Sequence, residues 1–105
     1  MSDALLITVA PTGAETAKAD CPQLPTTLEE LVAAARECEA AGAAMIHLHV
    51  RDTSHAPTLD QGLLREWVAA VRASSSLVVQ LSTGGSVHDP LDERLKVLDA
   101  EPDSC

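Results

Sequence analysis

Three apolar, strand-like runs alternate with three amphipathic, helix-like runs along this chain, and that alternation limits the possible folds more than any other feature. The strand-like runs cover residues 5–10, 44–50 and 77–82. Strands separated by amphipathic helices of about 10 to 15 residues are typical of βαβ units, with parallel strands and right-handed crossovers. The chain is therefore predicted to be an α/β protein with a parallel sheet.

The first two helices have clear start signals. Thr27 is followed three residues later by Glu30, which is the spacing of a capping box. Gly42 stands where a glycine commonly ends a helix. Asp60 can cap the second helix in the same way as Thr27 caps the first.

The third helix is predicted from a different signal. Asp89 and Pro90 indicate a helix start, with proline at the first helical position. Leu91, Leu95 and Leu98 then recur at helical spacing. These three leucines are predicted to form the apolar stripe of that helix.

The length of the chain limits how much of an α/β fold it can hold. Its 105 residues contain three βα units, whereas a closed barrel of eight such units takes roughly 250 residues. The last segment, 101–105, is typical of an approach to a fourth strand. We therefore expect residues 1–105 to be a single partial domain with no second domain, an N-terminal fragment of a longer enzyme.

Composition argues against several classes of protein. The net charge of −9 argues against nucleic-acid binding, which needs clustered Lys and Arg. No run reaches the roughly 18 to 20 apolar residues of a membrane span, and the N-terminus lacks a signal-peptide pattern. The three cysteines are an odd number without CxxC spacing, which favours reduced thiols and a cytoplasmic protein.

Two histidines in the second strand are the best candidates for metal binding. His47 and His49 face the same way on a strand, about 6.5 to 7 Å apart along it, so two imidazoles can converge on one ion. The opposite face, Ile46, Leu48 and Val50, is apolar and should pack under a helix. The alternative is a pair of hydrogen-bonded core histidines, because a buried polar ring needs a partner.

Residues after the second strand suggest further contacts at its carboxyl end. Arg51 is predicted either to hold a substrate carboxylate or to form an ion pair with Asp52, and the ion pair is the favoured interpretation. His55 and His88 lie in loops at spacings that do not demand a metal. Both are therefore interpreted as exposed loop histidines.

The third strand runs into a glycine-containing loop. Ser82 and Thr83 precede Gly84 and Gly85, and adjacent glycines allow close backbone approach and leave N–H groups free for a carboxylate or phosphate. A Gly-Gly turn is also common between strand and helix. Glu15 occupies the equivalent edge after the first strand, where it either binds a cationic substrate group or is a solvated loop acid.

Together, three motifs resemble those of the β-keto acid cleavage enzymes, the family whose type member acts in lysine fermentation on 3-keto-5-aminohexanoate. The motifs are residues 8–15, 47–52 and 82–85, and the histidine-containing strand is the most specific of them. The resemblance covers essentially the whole chain. It implies the first three βα units of a (β/α)8 TIM barrel, truncated before the fourth strand, and a full-length parent that forms a homo-oligomer.

The resemblance also implies an activity and a set of site residues. The family condenses a β-keto acid with acetyl-CoA to give acetoacetate and a new CoA thioester, using Zn²⁺ as a Lewis acid. His47 and His49 match metal ligands, Ser82 and Gly85 match substrate-holding positions, and Glu15 matches the residue facing the amino end of the substrate. Thr83, Gly84 and Arg51 are candidates for supporting roles.

The remaining functional residues of the family, a third metal ligand (a Glu) and the groups credited with proton abstraction, lie late in its chain and have no counterpart here. We therefore expect this 105-residue chain alone to be inactive. Two other interpretations stay open at this stage. One is a metal-dependent hydrolase of the amidohydrolase type, which carries its histidine pair on the first strand, and the other is a non-catalytic βα module.

Overall fold

A computed structural model describes residues 3–84 and 86–105 and gives an α/β fold, as the alternation of strands and helices predicts. The elements in chain order are β1 (Thr8–Val9), α1 (Leu28–Ala40), β2 (Met45–Leu48), α2 (Gln61–Ser74), β3 (Val78–Leu81), α3 (Leu91–Leu95) and a 3-10 helix (Lys96–Ala100). None of the helices in these residues is long and apolar enough to cross a membrane.

The sheet is parallel, with its strands in the order β1-β2-β3. β2 lies in the centre, and its His47 is in register with Gln80 of β3. Beside β3, on the side away from β2, Ser104 forms a parallel bridge with Gln80, and its carbonyl accepts from the Leu81 N–H at 3.0 Å. The segment predicted to approach a fourth strand therefore lies where a fourth parallel strand would pair.

The hydrophobic core lies between one face of the sheet and the helices. The strand residues that point into it are fully buried: Ile46, Leu48, Val79 and Leu81. Helix residues cover them: Leu31, Ala35, Leu64, Trp67, Val68, Val71, Val97 and Ala100. Because side chains alternate along a strand, His47 and Gln80 point to the opposite face, which is only half-buried.

Both predicted N-terminal caps are confirmed. The Thr27 hydroxyl accepts from the Glu30 N–H, and the Glu30 carboxylate accepts from the Thr27 N–H, each at 3.2 Å. The Asp60 carboxylate accepts from the Leu63 N–H at 2.9 Å. Gly42 has φ 111°, a value at which a side chain would be strained, so the chain leaves α1 through a residue suited to that turn.

The first strand is shorter than its apolar run predicts. Residues 5–10 were expected to pair, but β1 is limited to Thr8–Val9 and the side chains of Leu5, Leu6 and Ile7 are exposed. β1 lies at the edge of the sheet and pairs on one side only, with β2. The strand is therefore only as long as the stretch of residues that pairs with β2.

The prediction for the third helix is wrong in two respects. α3 begins at Leu91, with Pro90 at the N-cap position. The Asp89 carboxylate accepts from the Ser86 N–H at 2.8 Å, so it stabilises the preceding turn and does not cap the helix.

The expected apolar stripe of this helix does not face the core. Leu91, Leu95 and Leu98 are all more than half exposed, whereas Val97 and Ala100 are buried. After residue 95 the chain tightens into a 3-10 helix, with three residues per turn. Residues three apart then share a face, which brings 97 and 100 inward together and breaks the 3.6-residue pattern.

Candidate metal centre and substrate cleft

The candidate site lies where the parallel strands end. β1 leads into the loop that carries Glu15, β2 leads into His49, and β3 leads into Ser82. Because the three strands are parallel, their carboxyl ends lie at the same end of the sheet. Parallel α/β sheets generally carry their binding sites at the carboxyl ends of the strands.

His47 is held by a neighbour on the next strand. Its Nδ1 lies 2.7 Å from Oε1 of Gln80. The amide nitrogen of Gln80 in turn donates to the Ser104 hydroxyl at 3.1 Å. The oxygen of the amide is thereby directed at the imidazole, and the second ring nitrogen of His47, Nε2, is left available as a ligand.

His49 follows β2 directly and lies against His47. The two ring centroids are 5.0 Å apart, in an edge-to-face arrangement. Two imidazoles on one tetrahedral zinc, with Zn–N distances of about 2.0 to 2.1 Å, have centroids about 5 Å apart. The separation of His47 and His49 is compatible with a shared metal ion.

The environment of His49 favours the neutral ring that a metal needs. Burial lowers the pKa of His49 below the ordinary histidine value, and the charges of His47 and Arg51 lower it further. Among the described residues, the ring of His49 has no hydrogen-bond partner. The interpretation as a pair of hydrogen-bonded core histidines therefore accounts for Nδ1 of His47 but not for His49.

The histidine pair fits zinc as two of its ligands but does not complete a site. Within residues 3–84 and 86–105, no three His, Cys, Asp or Glu side chains come together in a group able to hold a metal ion. Catalytic zinc sites usually have three protein ligands and a water. At least one further donor would have to come from outside this group.

Arg51 does not form the ion pair with Asp52 that the sequence favoured. Its side chain is buried, and its guanidinium donates to the carbonyls of Gly13 (2.8 Å), Thr16 (3.2 Å) and His55 (2.8 Å). The three carbonyls belong to the loops after β1 and β2. Arg51 therefore ties the two loops together, and burial lowers its pKa.

The loop after β2 has its own internal support. The Asp52 carboxylate accepts from the N–H groups of Ser54 and Ala56, at 2.8 and 3.0 Å, which explains why it does not pair with the neighbouring arginine. His55 was expected to be an exposed loop residue, but it is half-buried and its Nδ1 lies 2.7 Å from the Thr26 hydroxyl. It joins this loop to the start of α1.

The loop after β3 differs from the open nest that the glycines suggested. The Gly84 N–H donates to the Ser82 hydroxyl at 3.1 Å, so it is already engaged within the loop. Arg94 Nε donates to the Thr83 carbonyl at 3.0 Å. Gly85 lies outside the described residues, and its predicted contact with substrate is not placed.

Two adjoining cavities are lined by several of the predicted site residues. A cleft of about 380 Å³ is lined by residues of all three loops, among them Glu15, Pro57, Gly84 and His88, and by Arg94 of α3. His88 is exposed there, as predicted. His49, Ser82 and Gly84 line a second, small pocket. Gly84 belongs to both cavities, so the cleft that contains Glu15 adjoins the pocket lined by His49.

Sequence reasoning missed two residues of this region, Gln80 and Arg94. Gln80 was assigned only to the third strand, and its place beside His47 follows from the strand register. Arg94 lies 11 residues beyond Thr83 along the chain, and only the path of the third helix brings it back to the cleft. Neither residue belongs to a motif that would have identified it.

Comparison with known proteins confirms the family resemblance. A family model described as beta-keto acid cleavage enzyme matches residues 4–105. The chain is 38% identical over 104 residues to 3-keto-5-aminohexanoate cleavage enzyme of Fusobacterium nucleatum. It is 41% identical over 93 residues to 3,5-dioxohexanoate:acetyl-CoA acetone transferase of Paraburkholderia graminis. It is 33% identical over 86 residues to 3-oxoadipate:acetyl-CoA acetyltransferase of Cupriavidus necator.

The chain matches these relatives over nearly its whole length but spans only part of theirs. The three alignments cover 98%, 88% and 81% of this chain. They cover 38%, 30% and 30% of the respective relatives. The chain therefore spans about a third of the length of the relatives it matches.

Proposed function

This chain belongs to the beta-keto acid cleavage enzyme family, and we propose that it supplies two zinc ligands and part of the substrate cleft of such an enzyme. The observation that carries the proposal is the pair His47 and His49, with ring centroids 5.0 Å apart at the carboxyl end of the central strand. The cleft lined by Glu15 and Gly84 adjoins the pocket that His49 lines and gives room for a small acid.

The proposed reaction is the transfer of an acyl group from a β-keto acid to coenzyme A. A β-keto acid and acetyl-CoA give acetoacetate and a new CoA thioester. The carbon–carbon bond beside the keto group breaks, the two-carbon remnant bonds to the acetyl group released from CoA, and the remaining acyl group bonds to the CoA sulfur. The names of two relatives include acetyl-CoA as a reactant, which supports acetyl-CoA as the co-substrate here. Zinc, when bound, supplies Lewis acidity that polarises the keto group of the substrate.

The residues of this chain then have separate tasks. His47 and His49 hold the metal through neutral ring nitrogens. Ser82 and Gly85 orient the substrate, and Glu15 faces its variable end, where a carboxylate favours a cationic group. Thr83 and Gly84 keep the loop after β3 in place.

The proposed fold of the whole enzyme is a (β/α)8 barrel of which this chain forms the first three βα units, a single partial domain. The parallel order β1-β2-β3, with Ser104 pairing next to β3, supports this assignment. The histidine pair lies at the carboxyl end of β2, whereas the amidohydrolase alternative places such a pair on the first strand. We further propose that the complete enzyme is a homo-oligomer.

We expect the 105-residue chain to be inactive by itself and to bind zinc weakly. The described residues contain no group of three metal donors, and two histidines leave the usual catalytic coordination incomplete. Turnover of a β-keto acid and acetyl-CoA by the purified 105-residue chain would contradict this part of the proposal.

A chimera tests the function directly. The matching segment of the Fusobacterium nucleatum enzyme is replaced by this chain, and acetoacetate formation from 3-keto-5-aminohexanoate and acetyl-CoA is measured together with bound zinc. We expect His47→Ala and His49→Ala to lose bound zinc and more than about 100-fold in kcat/KM, since each removes a metal ligand.

The matched control is His88→Ala, because His88 is an exposed loop histidine in the same cleft. It should keep its bound zinc. A folded chimera that keeps zinc and activity in both the His47 and His49 variants would overturn the proposal. A folded, metal-free chimera without activity would instead favour a non-catalytic βα module.

A further inference from the structure

Gln80 has a position in the sheet that no part of the proposed function explains. It is the residue of β3 in register with His47 of β2, and neighbouring residues of parallel strands project to the same face. It is half-buried, and both ends of its amide are engaged.

The two hydrogen bonds of Gln80 determine which ring nitrogen of His47 carries the proton. The amide nitrogen donates to the Ser104 hydroxyl at 3.1 Å, so the amide oxygen is the group 2.7 Å from His47 Nδ1. An amide oxygen can only accept a hydrogen bond. In this orientation of the amide, His47 Nδ1 donates to the Gln80 oxygen, and in the neutral ring Nε2 then carries the lone pair.

We propose that Gln80 is a positioning residue that holds His47 in the Nδ1–H tautomer and so presents Nε2 to the metal. This inference rests on the proposed function only for the identity of that metal as zinc. Metal-binding histidines usually donate their second ring N–H to an oxygen acceptor, which fixes the tautomer and the ring orientation. In this chain the acceptor comes from the next strand and is itself oriented by the residue pairing beyond it, Ser104.

The first measurement needs no variant. Long-range ¹H–¹⁵N correlation spectra of the 105-residue chain, recorded above the ordinary imidazole pKa of about 6.5, distinguish the two neutral tautomers of His47. We expect the Nδ1–H form. A predominantly Nε2–H ring would overturn the proposal, whatever its affinity for zinc.

Two variants then separate positioning from packing. Gln80→Glu keeps an acceptor at the same reach and can accept from the Ser104 hydroxyl, so it should keep the Nδ1–H tautomer. Gln80→Met keeps the bulk but removes the acceptor, so the ring should shift toward Nε2–H. Gln23→Met is the matched control, since Gln23 is exposed, and it should leave the His47 spectrum unchanged.

Zinc titration of the same proteins provides the second readout. The three cysteines, none of them in a disulfide, are replaced by serine so that thiolates do not compete, and zinc-induced shifts of the His47 and His49 rings are followed. We expect Gln80→Met to weaken zinc binding by about 10- to 100-fold and Gln80→Glu to restore it. Retention of both tautomer and affinity in Gln80→Met would refute the role of Gln80.

The measurements distinguish failure of the proposed zinc site from failure of the proposed role of Gln80. If His47 is Nδ1–H in a Gln80-dependent manner but zinc leaves both rings unperturbed, the zinc site is wrong and the positioning contact stands. If zinc shifts both rings but the tautomer does not depend on Gln80, the zinc site stands and the positioning role is wrong.

Discussion

Arg51 and Gly13 are joined across two loops by a hydrogen bond of 2.8 Å from the guanidinium to the glycine carbonyl. The same guanidinium nitrogen donates to the Thr16 carbonyl at 3.2 Å. Glu15 lies between these two anchor points in the sequence. The end of β2 therefore holds the loop of β1 that carries a candidate substrate-binding residue.

The first prediction concerns the stability that this buried arginine provides. Arg51→Met should lower the free energy of unfolding by about 2 to 4 kcal/mol, because it leaves three carbonyls without their charged donor. Arg51→Lys should recover only part of this, since an ammonium lacks the planar fork that reaches several acceptors. Urea denaturation followed by circular dichroism measures both.

Arg65→Met is the control for the loss of a guanidinium. Arg65 is exposed and donates to a single carbonyl, that of Asp99, so its replacement should cost less than about 1 kcal/mol. Equal effects at positions 51 and 65 would show that the bonds of Arg51 to the two loops contribute little to stability.

The second prediction concerns Glu15 and depends on the proposed function. In the chimera, Glu15→Gln should raise KM for an amino-bearing β-keto acid by about 10-fold, on the order of one lost ion pair. KM for a β-keto acid without an amino group should change little. Glu29→Gln removes a carboxylate from the exposed face of α1 and serves as the matched control. An unchanged KM for the amino-bearing substrate would make Glu15 a solvated loop acid.

The third prediction tests the capping box of α1. Thr27→Ala removes the hydroxyl that accepts from the Glu30 N–H and should destabilise the chain by about 1 kcal/mol. Thr27→Ser keeps that acceptor and should stay close to the unchanged protein. Thr53→Ala, in an exposed loop, controls for the loss of a threonine, and thermal denaturation gives the comparison. Identical melting of the Ala and Ser variants would contradict a capping role.

The fourth prediction is a pH dependence at the segment beside β3. The Val79 N–H and the Arg72 guanidinium both donate to the Asp103 carboxylate and hold its pKa below the ordinary value of 3.8. A lowered folded-state pKa contributes stability that is complete above the unfolded-state pKa. That stability is lost as the pH falls through the folded-state value.

Asp103→Asn should therefore destabilise the chain at neutral pH, by less than about 1 kcal/mol because the carboxylate is partly exposed. The difference should shrink in acid, as the pH falls below the ordinary aspartate value and the carboxyl of the unchanged protein becomes protonated. Asp20→Asn, at an exposed loop position, should have no effect at either pH. A difference between Asp103 and its Asn variant that persists in acid would contradict this origin.

Local signals predicted the parts of the fold that local physics decides. The capping box at Thr27 and the cap at Asp60 depend on neighbouring residues only, and both form as predicted. The prediction for the third helix failed because the 3-10 ending changes which residues face the core, and that change depends on packing against α2. Leu95, expected in the apolar stripe, is more than half exposed for this reason, whereas Val97 is buried.

In the candidate site, too, some features follow from the local sequence and others only from the tertiary structure. The alternation of side chains along β2 is enough to predict that His47 and His49 share one face, because a strand has a period of two. The partners of that strand follow from the register, so the contact of His47 with Gln80 could not be predicted from either residue alone. The Asp52 carboxylate was likewise expected to pair with its neighbour Arg51, but it accepts hydrogen bonds from the backbone N–H groups of Ser54 and Ala56 instead.

By itself, the sequence determined the α/β class, the starts of the first two helices, the common face of the two histidines and the family resemblance. Each of these depends on periodicities and motifs that involve residues close together in the chain. Only the tertiary structure decided that Arg51 joins two loops and that Gln80 orients His47. These contacts span 33 to 38 residues of sequence, and they exist because strand register and buried polar groups must be satisfied together.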